Sequence, residues 1–178
     1  MLRSISIILT ASLLFTGCKS GSTAEMPVED VASETEKIMD VIKGEYKAYF
    51  EKDQPGWSDK FVQADHLRFW GYWEGYPDKV RHYDSWKDLY EGKKNRFEID
   101  TAGYWNENEP VMDIHDLNVQ IRGKVAWVTF RQRSKDGKTD AFLGESLETK
   151  ILEKIAGKWK IAYANFLYLP MEDTAGGK

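Results

Sequence analysis

The stretch Glu148-Thr149-Lys150-Ile151-Leu152-Glu153-Lys154-Ile155-Ala156-Gly157-Lys158-Trp159-Lys160-Ile161 decides the fold. Two strand-like runs meet at Ala156-Gly157, and a glycine there supplies the positive φ that a tight hairpin needs. The same grammar repeats upstream. Asp113–Ile121, Val125–Ser134, Thr139–Ile155 and Lys158–Leu169 read as strands, separated by Arg122-Gly123, Asp136-Gly137 and Ala156-Gly157. Strands joined in succession by short turns form an antiparallel meander. The third is long, and Gly144 within it is placed to act as a bulge that lets the sheet curve.

Further upstream the pattern becomes helical. Ile38, Val41, Ile42, Tyr46, Tyr49 and Phe50 recur at helical spacing. Ser33 with Glu36 has the form of a capping box, so a helix is expected from Ser33 to Glu51. Pro55-Gly56 breaks the chain. Trp57 to Ala64 reads as a short helix, His66 to Trp73 as an aromatic strand, and Asp84 to Tyr90 as a third helix ending near Gly92.

Face alternation then suggests what is covered. Leu117, Val119 and Ile121 share one face of their strand, and Asp113 and His115 would extend that row. In the last strand Trp159, Ile161, Tyr163, Asn165 and Leu167 share one face, with Ala162, Ala164, Phe166 and Tyr168 on the other. Both faces are apolar, so both call for cover. Helices can cover one, and a second copy of the chain is the simplest cover for the other. A homodimer is therefore expected.

This order of elements, with Val125-Ala126-Trp127-Val128-Thr129 and the Gly157-Lys158-Trp159-Lys160-Ile161 ending, resembles the nuclear transport factor 2-like superfamily, particularly its SnoaL-like and ketosteroid-isomerase-like branches. The resemblance covers about residues 33–169. It implies an α+β cone: a curved antiparallel sheet wrapped around a long N-terminal helix, with a pocket at the wide end. It also implies dimerisation through the outer sheet face. The superfamily includes isomerases, cyclases, dehydratases and non-catalytic binders, so fold does not give function. Members often carry histidines where this chain has Tyr163 and Asn165.

Asp113 and His115, two apart on one strand, are the candidates for a catalytic acid–base pair. Trp70, Tyr72, His115, Tyr163 and Asn165 are the candidates for ligand binding, drawn from the aromatic segment that also holds Phe69, Trp73, Tyr76, Tyr83, Trp86 and Tyr90. Arg131 and Glu148 read as a cross-strand ion pair on an exposed face. The histidines His66, His82 and His115 show no metal-ligand spacing, so no metal is expected. No nucleophile elbow, phosphate-binding glycine loop or dinucleotide fingerprint is present, and no cofactor is expected.

The N-terminus carries its own signal. Met1-Leu2-Arg3 gives a positive start, and Ile5 to Thr16 is an apolar run, too short for the ~20 residues of a membrane-spanning helix. It ends Leu14-Phe15-Thr16-Gly17-Cys18, which resembles the bacterial lipoprotein box, with Phe15 where leucine is commoner. The resemblance implies cleavage after Gly17 and lipid on Cys18, the sole cysteine. Residues 1–17 are thus expected to be a lipoprotein signal peptide, 18–32 a flexible tether, 33–170 the SnoaL-like domain and 171–178 a disordered tail. Lys19-Ser20 carry no acidic retention signal, which favours the outer membrane facing the periplasm. The whole chain has net charge −4, and loss of Arg3 makes it more negative. An acidic chain does not suit a nucleic-acid partner.

Three functions follow as expectations. The favoured one is a membrane-anchored, non-catalytic domain holding a small apolar or aromatic ligand in its cone. The second is an isomerase, cyclase or dehydratase using Asp113 or His115 as base. The third is a structural or protein-binding dimer without ligand.

Overall fold

The computed structural model describes residues 28–72, 80–98 and 111–169. The expected signal peptide, Cys18, Trp73, Tyr76 and the tail at 171–178 lie outside the described residues.

Helices α1 (Val28–Phe50) and α2 (Gln54–Ser58) are followed by strands β1 (Arg68–Tyr72) and β2 (Val80–Tyr83), helix α3 (Trp86–Glu98), and the meander β3 (Val111–Arg122), β4 (Val125–Lys135), β5 (Phe142–Ile155) and β6 (Lys158–Tyr168). The six strands form one sheet in the order β2-β1-β6-β5-β4-β3. All neighbours are antiparallel except β1 and β6. The architecture is the expected α+β one, a curved sheet packed on the N-terminal helix.

The meander follows the sequence grammar at its first and last turns, but the middle turn is wider than Asp136-Gly137, closed by the Asp136 N–H on the Ala141 carbonyl, so β5 starts at Phe142 and not at Thr139. Gly123 and Gly157 have φ of +58° and +81°, values that glycine adopts without strain. The β4–β5 register shifts between Ser134 and Lys135, opposite Gly144, as expected of a bulge there. The helices differ more. α1 begins before Ser33, so Ser33 lies inside the helix and Glu36 is exposed. α3 runs through Gly92 to Glu98, and Ser85 caps it by accepting from the Asp88 N–H at 3.1 Å. Gly92 is tolerated there because a Cβ would stand 2.2 Å from the Tyr83 ring. The strand β2 has no clear signature in the sequence.

Ile38 and Ile42 from α1 meet Trp57, Phe61, Leu67, Leu89, Val128, Leu152 and Ile161 in a continuous core. Each such side chain contributes about 1.5–3 kcal/mol on burial. Glu34 ties α1 to the start of the last hairpin. Its carboxylate accepts from Trp159 Nε1 at 2.7 Å and pairs with Lys154 and Lys37. Those hydrogen bonds, that to Lys154 foremost, hold its pKa at about 2.

Two parity expectations need correction, both because of bulges. Between His115 and Asn118 the β3–β4 register gains one residue, with Asp116 at φ +52°. Val119 and Ile121 therefore face the core with Val128 and Ala126, whereas Asp113 and His115 pair with Arg133 and Arg131 on the outer face. A second shift, between Ile151 and Leu152, leaves Ala162 as the extra residue of β6. Trp159 and Ile161 thus share the inner side with Ala164 and Phe166, while Tyr163, Asn165 and Leu167 point outward.

Candidate functional site

A cavity of about 380 Å³ opens between the C-terminal end of α1 and the inner face of the sheet. Its aromatic wall comes from Tyr49, Phe50, Trp57, Phe69, Phe166 and Tyr168. Its polar wall comes from Glu45 and Tyr46 on α1, Gln132 and Ser134 on β4, and Ser146, Glu148 and Lys150 on β5. Lys93 and Arg81 approach from α3 and β2. The size is within the range of small-molecule sites.

The row on β5 is the unusual feature. Ser146, Glu148 and Lys150 are buried on the inner face, whereas Leu147 on the outer face of the same strand is exposed. The ordinary pattern of apolar inside and polar outside is inverted. Glu148 Oε1 accepts from Ser146 Oγ at 2.8 Å, and its Oε2 lies 3.9 Å from Lys150 Nζ. Lys150 Nζ is also 3.5 Å from Glu45 Oε2, and Glu45 Oε1 accepts from Trp57 Nε1 at 3.1 Å. Burial is the main influence on Glu148 and pushes its carboxyl up to about 7, with Lys150 and Ser146 opposing. Burial likewise pushes the Tyr46 hydroxyl, which shares a hydrogen bond with Ser134, up to about 12. That phenol stays protonated at any physiological pH.

Opposite this row, Lys93 is buried among aromatic faces. Its ammonium lies 5.4 Å from the ring centroids of both Tyr49 and Phe69 and 5.9 Å from that of Tyr83. The cavity thus offers a carboxyl that exchanges a proton near neutrality, two buried ammonium groups and a ring-lined wall. Together these suit a small ligand with a flat apolar body and a polar end.

None of the ligand-binding candidates Trp70, Tyr72, His115, Tyr163 and Asn165 lines this cavity. The sheet brings them to its other side. Trp70 pairs with Asn165, Arg68 with Tyr163 and Tyr72 with Leu167 across β1 and β6. Trp70 and Tyr163 rings meet edge to face at 5.9 Å. The sequence parity on β1 was sound, but the cavity lies on the Phe69 side. His115 Nε2 stands 2.8 Å from Asp113 Oδ2 without hydrogen-bonding alignment, and both belong to the outer face. Arg131 also differs from expectation: it pairs with Glu145 at 2.8 Å and with Asp116 at 3.4 Å, while Glu148 lies inside opposite Phe130. A two-residue turn at Asp136-Gly137 would set Glu148 beside Val125. The turn is wider, the Asp136 N–H donating to the Ala141 carbonyl at 2.8 Å, and with the shift at Gly144 the register puts Glu148 beside Phe130, a core residue.

Among the described residues, no group of His, Cys, Asp and Glu is arranged to hold a metal ion. Among them too, no helix is long and apolar enough to cross a membrane.

No protein-family model matches the chain, and no curated protein sequence matches it. Solved structures do. A Nostoc punctiforme protein of unknown function with a cystatin-like fold is 13% identical with a TM-score of 0.60, over 80% of this chain and 96% of that one. An NTF2-like protein of unknown function from Shewanella oneidensis is 20% identical with a TM-score of 0.52, over 75% and 98%. The CamKII hub homology domain of Chlamydomonas reinhardtii is 11% identical with a TM-score of 0.58, over 76% and 98%. The likeness is one of fold, and the chain folds as a nuclear transport factor 2-like, cystatin-like α+β domain.

Proposed function

We propose that the chain is a lipoprotein, tethered through lipid on Cys18 in the cell envelope, most simply the outer membrane facing the periplasm, and that its SnoaL-like domain holds a small apolar or aromatic ligand in the inner cavity. The lipobox-like Leu14–Cys18 supports the tether. One observation carries the ligand: the buried polar row Ser146, Glu148, Lys150 facing an aromatic wall. Burying ions costs several kcal/mol each before pairing, so packing alone favours apolar side chains there. A cavity that keeps these charges has a use for them. The test is native mass spectrometry of the protein after exposure to a mixture of aromatic and apolar compounds. A bound species lost on Glu148→Leu supports the reading, and no bound species at any concentration contradicts it.

A second reading, an acid–base enzyme of the isomerase, cyclase or dehydratase kind, is favoured by Glu148 rather than by Asp113 or His115. Glu148 lines the cavity and exchanges its proton near neutrality, and Tyr46 stands beside it as a permanent hydrogen-bond donor. Deuterium exchange into a bound carbonyl compound, abolished in Glu148→Gln, would separate this reading from simple binding.

The outer face supports homodimer formation in either case. Trp70, Trp127, Leu147 and Leu167 are 41%, 58%, 39% and 45% exposed there. Sedimentation of the purified chain decides between monomer and dimer.

A further inference from the structure

We infer that the end of the sheet opposite the cavity is a docking face for anionic lipid headgroups, so that the domain lies with its cavity turned away from the bilayer. The inference rests on the lipid tether proposed above.

Two adjacent hairpin tips form this end. Arg122-Gly123-Lys124-Val125 joins β3 to β4, and Ile155-Ala156-Gly157-Lys158 joins β5 to β6. The Lys154 N–H donates to the Lys124 carbonyl at 2.8 Å, which holds the tips side by side. Arg122, Lys124 and Lys158 are exposed, and the tips carry no acidic residue. Val125 and Ile155 stand among them, 44% and 45% exposed. In an acidic chain, two apolar tips ringed by cations are an uncommon concentration of the groups that bind anionic membrane surfaces.

The acids nearest the tips, Asp40 apart, are already engaged. Glu34 holds Lys37 and Lys154, Asp59 holds Lys160 at 2.6 Å, and Glu153 meets His66 at 3.3 Å. Asp30 and Glu36 are carried by α1, not by the tips. A shallow groove beside the second tip adds Lys37, Lys60 and Lys160 to Lys158, against the carboxylates of Asp40 and Asp59, so cations outnumber acids there.

Chain geometry brings this end to the membrane. Glu34 fixes the first half of α1 against Lys154 and Trp159, beside the second tip. The residues between Cys18 and Val28 reach at most about 35 Å when extended. A lipid on Cys18 therefore keeps the tips within reach of the headgroups. The cavity residues Tyr46, Tyr49 and Phe50 lie at the other end of α1, about 18 Å further along the axis for Tyr46 than Glu34.

The test uses the full, processed chain carrying Val125→Cys, labelled with an environment-sensitive fluorophore, on vesicles of phosphatidylcholine alone or of equal parts phosphatidylcholine and phosphatidylglycerol. Mass spectrometry of the N-terminal peptide reports separately whether Cys18 is acylated. With acylated protein, a blue shift on the mixed vesicles that weakens with salt and disappears in Arg122→Glu/Lys124→Glu/Lys158→Glu supports the docking face. Acylated protein whose label shows no shift on either vesicle overturns it, although the tether stands. Unacylated protein that still binds the mixed vesicles, salt-dependently, supports docking while the tether fails. Unacylated protein that binds neither overturns both. A label at Arg81→Cys, beside the cavity, is expected to show no shift, and a shift there equal to that at Val125 overturns the orientation.

Discussion

Glu148 and Lys150 are two residues apart on β5, both buried on its inner face, with Oε2 and Nζ 3.9 Å apart. At that spacing neither is a tight partner of the other. Lys150 divides its charge between Glu148 and Glu45, and the burial of Glu148 outweighs what Lys150 returns. Keeping the pair buried costs the fold free energy, which the proposed ligand site would explain.

That cost has a sign and a pH window. Burial pushes the Glu148 carboxyl from the ordinary 4.5 up to about 7, so the folded state binds its proton more tightly. Its favourable contribution is complete below pH 4.5 and is lost as pH rises through about 7. Glu148→Gln is expected to stabilise the protein above that window by up to about 3 kcal/mol, and to change little below it. Urea unfolding as a function of pH measures this.

Lys150→Met removes the cation and leaves Glu45 and Glu148 facing each other. Truncating one partner of a buried charge network costs about 3–5 kcal/mol at neutral pH. Acid should relieve part of the loss, because protonated carboxyls no longer need the ammonium. Unfolding midpoints of the variant at neutral and acidic pH check the direction.

Gly71 owes its identity to Phe166, since a Cβ there would stand 2.0 Å from the Phe166 ring. Gly71→Ala is expected to cost about 1–3 kcal/mol by overpacking. Because Phe166 lines the cavity, the displaced ring should also shrink it. A lowered melting temperature together with weaker ligand uptake would show both effects.

Glu34 closes the opposite end. Glu34→Ala strands Trp159 Nε1 and is expected to cost about 2 kcal/mol. Its pKa of about 2 means that its stabilisation is present above 4.5 and is lost as pH falls through about 2. The variant should therefore show a shallower acid denaturation limb than the parent in circular dichroism.

On the outer face, Trp127→Lys places a charge where Trp127 is 58% exposed. If that face joins two copies, sedimentation velocity should show the parent as a dimer and the variant as a monomer, with unchanged melting of the fold.

Two of the three turns are legible because Gly123 and Gly157 mark positive φ in the sequence itself, whereas at the middle turn Asp140, not Gly137, takes it. The meander and its order followed from them. The site was not legible, because alternation was carried straight through two bulges that no glycine announces. Asp116 takes φ +52° without being glycine, and Ala162 is the extra residue in β6 with no marker at all. Each added residue turns the rest of its strand over. Simple alternation places Asp113, His115, Tyr163 and Asn165 in the interior, and the two bulges put them on the other side of the sheet. Trp70 and Tyr72 went astray for a different reason: aromatic character suggests a pocket, yet at an exposed sheet face it equally suits a contact with a partner. Ser33 misled because a capping box describes how a helix can start, and here α1 continues upstream of it.

The most direct measurement is native mass spectrometry of the protein isolated from its own cells, comparing the parent with Ser146→Phe, which fills the cavity, and with Trp127→Lys, which alters only the outer face. A small-molecule adduct present in the parent and in Trp127→Lys but absent from Ser146→Phe is the expected result. An adduct that survives the filled cavity and vanishes with the outer-face change would place binding on the other side of the sheet and contradict the inner-cavity proposal.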